Sequence, residues 1–184
     1  MFHRLMIIDN RNARIKEVHL GLTPQDIEEL RLGAITAIDG LWFLAAENKL
    51  GFEEALELDL EVWRNYGLVM AKRLSRRLGI DLGEGQAADL ATVRAIMEGI
   101  CEIDGTEAAG EIKGGQIVFT VDRCSWWENL SRSGRTKIIP CEDIDNKIFG
   151  HWLKRLDPEL GLQIIRSRAR GDDHCTWIIS RKGS

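Results

Sequence analysis

The chain has 184 residues, 44% apolar and 29% charged, with a formal net charge of -4, which is the balance of a soluble globular protein of one domain with a sizeable core. Its charges are interspersed, so it carries no basic footprint for nucleic acid, and its aromatics are not interleaved with Lys and Arg as a base-stacking platform requires. No apolar run approaches the roughly 20 residues that span a bilayer, and the stretch from Met1 to Asp9 is too short and too early charged for a signal peptide. The expected setting is therefore the cytoplasm, with no membrane partner. Cys101, Cys124, Cys141 and Cys175 lack the density of a secreted disulfide framework, which leaves thiols or metal ligands as their roles.

Residues 1–20 mix apolar and basic side chains without clear periodicity and read as an undetermined arm or a short first element. A helix starts at Thr23-Pro24, where Thr caps, Pro suits the first helical position and the acids Asp26, Glu28 and Glu29 favour the positive end of the dipole. Apolar residues from Ile27 to Ala45 carry it to about Asn48. Gly51 interrupts, and a second helix is expected from Phe52 to Leu78, with Ala55, Leu56, Val62, Trp63, Tyr66, Met70 and Leu74 on its apolar face. Gly79 and the glycine-rich loop after it stop that helix, and Leu90 to about Glu102 forms a third.

The period then changes. Glu107 to Ile112, the turn Lys113-Gly114-Gly115 and Gln116 to Val121 read as a β-hairpin. A short helix follows Cys124, and a longer one runs from Cys141 to Leu156 with Ile144, Ile148, Trp152 and Leu156 as its stripe. Leu160 to Ser167 and Cys175 to Ser180 form a second strand pair joined by the polar loop Arg168 to His174. The expected order is ααα-ββ-αα-ββ: an α+β fold, with a helical half (23–102) packed on an antiparallel sheet of about four strands made from two hairpins in an α+β half (105–181).

Candidate chemistry gathers between Cys124 and Trp177. Cys124, Cys141, His174 and Cys175 are the right atoms for a four-ligand zinc site, although they do not follow a CxxC spacing and His174 and Cys175 point to opposite faces of an extended strand. Inert buried thiols are the ordinary alternative. Cys124 or Cys141, near a helix start that favours the thiolate, is the candidate nucleophile, with His151 or His174 as its base. Asp39 and Asp59 interrupt apolar helix faces, where a carboxylate needs a partner or a shifted pKa. Trp42, Trp63, Tyr66, Trp126, Trp127 and Trp152 are the candidate ligand-binding side chains, lining a pocket between helices and sheet or else filling core. Asp172-Asp173 suits a turn; without a spaced series of oxygen ligands it does not make a calcium loop.

Gly40-Leu41-Trp42-Phe43-Leu44 with Glu47, Gly51-Phe52, Glu57 and Trp63, then Cys124, Pro140-Cys141-Glu142 and Arg170-Gly171-Asp172-Asp173-His174-Cys175-Thr176-Trp177, resemble the family related to L-2-amino-thiazoline-4-carboxylate hydrolase. Gly171, Cys175 and Trp177 also form a pattern similar to 4-vinyl-reductase-type domains, a small-molecule-binding fold of helices on an antiparallel sheet shared with trafficking subunits and aromatic-sensing regulators. In the zinc-bearing sensors of that type an upstream Cys, a Glu-x-x-Cys and a final Cys hold the metal. Cys141 and Cys175 match the first and last ligands, while Ile164 and Ser167 stand where the Glu and the middle Cys would be, so zinc there needs Cys124 or His174 to compensate.

Three functions follow as expectations. The first is a cytoplasmic small-molecule-binding domain of the 4-vinyl-reductase-like type with an apolar pocket between helices and sheet. The second, implied by the resemblance, is a hydrolase opening a small cyclic amidine, with Cys124, Cys141 or His174 as nucleophile, base or metal ligand. The third is an interaction module that forms a homodimer through its first two helices.

Overall fold

The computed structural model describes residues 4–9, 14–19, 21–80 and 87–183. The chain divides into two compact units, Met1–Asp39 and Gly40–Ser184. In the first, strands β1 (Arg4–Asp9) and β2 (Arg14–His19) form an antiparallel hairpin with Arg4 opposite His19 and Asp9 opposite Arg14. The sequence shows no alternation that announces this pair. Helix α1 (Pro24–Leu50) begins in this unit. Its start is a reciprocal cap: Thr23 Oγ1 accepts from the Asp26 N–H at 3.1 Å, and Asp26 Oδ2 accepts from the Thr23 N–H at 2.7 Å. Two of the donors that a helix start leaves open are thereby satisfied.

The second unit opens with the end of α1 and continues through α2 (Phe52–Leu78), α3 (Leu90–Ile103), β3 (Glu107–Lys113), β4 (Gln116–Arg123), α4 (Ser125–Arg132), α5 (Cys141–Leu156), β5 (Leu160–Arg166), a 3-10 turn at Arg168–Arg170, and β6 (Cys175–Arg181). From Pro24 onward this is the expected order, and the fold is α+β. The turns are chemically specified. Gly114 and Gly115, with φ of 57° and 78°, make the two-residue turn between β3 and β4 that requires positive φ at both positions. Gly79, at φ 67°, closes α2 in the left-handed conformation with its N–H bonded to the Ser75 carbonyl.

The four strands lie in the order β3-β4-β6-β5, each antiparallel to its neighbours. Register places Ile117 opposite Ile179, Phe119 opposite Trp177 and Val121 opposite Cys175. All six are buried, because alternate residues of β4 and β6 share the inner face of the sheet. Helix α5 packs on this half of the fold through Ile148, Trp152, Leu153 and Leu156, and α3 adds Val93, Ile96, Met97 and Ile100.

Helices α2 and α5 meet at one tight point. The Trp152 indole N–H donates to the Trp63 and Arg64 carbonyls of α2 at 3.1 and 3.2 Å. Only a residue without a side chain admits that approach: a Cβ on Gly67 would stand 1.9 Å from the Trp152 ring. At the far end of α5 the buried Asp157 accepts from Arg181 Nε at 2.7 Å, while Arg181 Nη2 donates to the Ala88 carbonyl at 3.0 Å. These bonds tie the end of β6, the end of α5 and the approach to α3 together.

Candidate functional site

The elements just described bring three of the singled-out cysteines into one neighbourhood. Cys141 opens α5, Cys124 caps α4 and Cys175 begins β6. The Cys124 sulfur accepts the Trp127 N–H at 3.5 Å and the Cys175 sulfur accepts the Arg168 N–H at 3.4 Å, so both thiols complete local backbone structure. The three lie within electrostatic reach of one another and of Asp145, one turn along α5 from Cys141. Cys101, buried on α3, also feels Asp145 and Cys124.

Burial governs the chemistry of this group. It pushes the Cys124 thiol up to about 11. Burial raises Cys101 and Cys141 further, with the Asp104 charge next at Cys101 and the Asp145 charge next at Cys141, and burial raises Cys175 despite the Arg168 N–H. At neutral pH the four sulfurs are thiols, and the dipole of a helix start does not overcome desolvation at Cys141. Asp145 itself is lifted to about 7, by burial first and by the Glu142 charge second. Among the described residues, no three His, Cys, Asp or Glu side chains form a group that could hold a metal ion.

A second polar point lies beside the first. Asp104, buried at the end of α3, accepts a short hydrogen bond from the Tyr66 hydroxyl, and the Ser125 hydroxyl donates to its carbonyl at 3.1 Å. Burial raises Asp104 to about 6, against the lowering effect of the Tyr66 bond. The Tyr66 phenol is raised well above its ordinary value by burial and by this bond. Above it stands an aromatic corner, with Trp63 edge-on to Tyr66 at 5.0 Å and to Trp126 at 5.1 Å. Edge-to-face packing of this kind is the favourable arrangement for aromatic quadrupoles.

A further aromatic layer lies over the sheet. Phe119 stacks on Trp177 at 5.6 Å, and Phe149 touches Trp177 at 4.5 Å and Trp152 at 4.8 Å. The Trp177 indole N–H is buried and has no hydrogen-bond partner among the described residues.

The remaining expected site residues are placed elsewhere. His174 is held by its own loop, with Nδ1 2.7 Å from Asp173 and Nε2 3.1 Å from Arg166 Nη1. An imidazole that donates from Nδ1 and accepts at Nε2 is committed on both sides. Trp42 is 41% exposed on α1, Trp127 is half-buried on α4 and Asp59 is buried on α2. Sequence reasoning missed Asp145 and Asp104. The signal for Asp145 was the spacing Cys141, Asp145, Phe149, which puts a thiol, a carboxyl and a ring on one face of α5.

Residues 26–180 match the model of a family of unknown function (DUF6125). The chain belongs to that family. None of the curated proteins matches it. Among solved structures, the phenol-responsive sensory domain of the transcription activator PoxR, in its crystal structure with phenol, is similar in fold. The TM-score is 0.53 at 12% identity, over 96% of this chain and 84% of that one. Neither the family model nor this structure supports the expected likeness to an amino-thiazoline carboxylate hydrolase. No helix among the described residues is long and apolar enough to cross a membrane.

Proposed function

We propose that this chain is a small-molecule-binding domain of the sensory type, whose ligand lies between α2, α5 and the inner face of β4 and β6. The observation that carries this reading is the convergence of Cys124, Cys141 and Cys175 on Asp145 beside the aromatic layer of Phe149 and Trp177. Small-molecule sites combine apolar and aromatic walls with a few convergent polar groups, and these side chains supply both. The fold shared with a phenol-responsive sensory domain supports the same reading.

The hydrolase reading asks more of these residues. A cysteine nucleophile needs a thiolate and a base, whereas burial holds the thiols protonated and His174 is engaged by Asp173 and Arg166. The zinc reading calls on Cys141 and Cys175 with Cys124, and metal analysis of the purified protein decides it. For the binding reading, phenol and related aromatic compounds are titrated into purified protein and followed by calorimetry and thermal denaturation. Saturable binding that raises the unfolding temperature is expected. Turnover of a cyclic amidine, or iodoacetamide labelling of Cys124 or Cys141 in the folded protein as fast as in the unfolded chain, would sink it in favour of the enzyme.

A further inference from the structure

Nearly every buried or half-buried carboxylate near this region is answered by a partner. Glu142 meets Arg170 at 3.0 Å, Asp157 meets Arg181 at 2.7 Å, Glu47 takes both its bonds from Arg135 at 2.9 Å, and Asp104 receives the Tyr66 hydroxyl. Asp145 is the exception. Its carboxyl makes no hydrogen bond and no ion pair with the described residues, and the one charged side chain that acts on it appreciably, Glu142, carries the same sign. Protein closes around that carboxyl, yet the residue keeps some accessible surface.

What borders Asp145 is also defined. Cys141 lies one turn before it and Phe149 one turn after it, on the same face of α5. Phe149 touches Trp177, and Cys175 stands two residues from Trp177 on the inner face of β6. The thiols are soft, uncharged and poor donors, so they do not neutralise a carboxylate. The same face carries a second unanswered group, the buried Trp177 N–H, a donor awaiting an acceptor. A carboxyl without a countercharge is costly to ionise where protein surrounds it, and a buried donor without an acceptor costs free energy too, so each of these groups calls for an explanation.

We propose that Asp145 is the charge-recognition point of the ligand site and that its ligand is a small organic cation, a protonated amine on an aromatic or apolar body. This rests on the binding reading above and narrows it. The ammonium group supplies Asp145 with the countercharge that the fold withholds, the rings of Phe149 and Trp177 take the body, and the Trp177 N–H takes an acceptor where the ligand has one. A neutral ligand of the same shape leaves the carboxyl unanswered, so the site discriminates by charge.

The test is calorimetry on the full chain near neutral pH with benzylamine and benzyl alcohol, which share size and ring but differ in charge. Benzylamine is expected to bind roughly tenfold tighter or better, as a desolvated charge pair requires. In Asp145→Asn and in Asp145→Ser, each checked for native circular dichroism, that preference for the amine disappears. Equal or tighter binding of the alcohol, or a preference for the amine that survives both substitutions, overturns the assignment. Binding of benzyl alcohol or phenol without preference for the amine sinks the charge assignment alone and leaves the ligand-binding reading standing. Binding of none of the three sinks both.

Discussion

At the scale of single residues, Gly67 and Trp152 define each other. The indole N–H reaches two α2 carbonyls because Gly67 presents bare backbone to the ring. A methyl group there overlaps a buried ring with no flexible end to move aside, so Gly67→Ala is expected to destabilise the protein by about 3 kcal/mol or more, since forcing volume into a packed core displaces backbone as well as side chains. Urea denaturation measures the loss; an unfolding midpoint equal to the parent's would show that the two helices adjust freely. Trp152→Phe keeps an aromatic ring but loses the donor and part of the indole's volume, and should cost about 2 kcal/mol or more. Asp145 shows what was hidden at this scale. Asp39 and Asp59 drew attention because they interrupt apolar faces of long helices, whereas Asp145 sits among acids in the polar first turns of α5. Its charge acts on Cys124 and Cys175, which belong to other elements, and no local pattern reports that neighbourhood.

At the scale of elements, α2 and α5 were legible because their physics is local. Gly51 and Gly79 bracket one, Pro140 and Asp157-Pro158 bracket the other, and the apolar spacing between those marks is helical throughout. The hairpin of β3 and β4 was legible for the same reason, through Gly114-Gly115. What sequence could not supply was the insertion of β6 between β4 and β5, which sets Trp177 against Phe119 and Cys175 opposite Val121. That pairing is non-local and decides the candidate site. Nor did residues 1–20 announce β1 and β2, since short strands without alternation carry no periodic signal. The junction of α5, β6 and the entry to α3 rests on Asp157, which accepts from Arg181 and from the Glu159 N–H at 3.0 Å. Asp157→Ala should lower stability by about 2 kcal/mol, because the Glu159 N–H and Arg181 lose a charged acceptor. Hydrogen exchange should quicken first at the end of β6 and around Ala88. Uniform loss of protection would instead make Asp157 a contributor to global stability without a local role.

At the scale of the whole molecule, the buried acids set how stability depends on pH. Asp145 and Asp104 are raised to about 7 and about 6 in the folded chain, while in the unfolded chain they titrate near the ordinary value of 3.8. Between these values the unfolded state has released protons that the native state keeps, so stability falls as pH rises from about 4 to about 7. The raised thiols extend the decline above the ordinary cysteine value of 9.0, where the unfolded chain ionises and the folded one does not. Asp157 works in the opposite direction. Its carboxyl is held below 3.8, by the Glu159 N–H first and by Arg181 after it, so the stability it contributes is present above that value and is lost as acid protonates it. The two trends meet near pH 4, where the stability maximum is expected. From pH 5 to pH 8 the two raised aspartates are expected to remove about 4 kcal/mol, or about 12 °C in unfolding temperature for a chain of this size. Asp145→Asn removes the larger of the two contributions, so it should flatten that slope and make the variant more stable than the parent at pH 8, where the parent's carboxyl is charged and unanswered. Thermal denaturation across this range reads both effects directly. A parent profile that rises from pH 5 to 8, or an Asn variant with the parent's slope, would mean that Asp145 has a countercharge in the folded protein, and the reasoning that makes it a reserved binding group would fail with it.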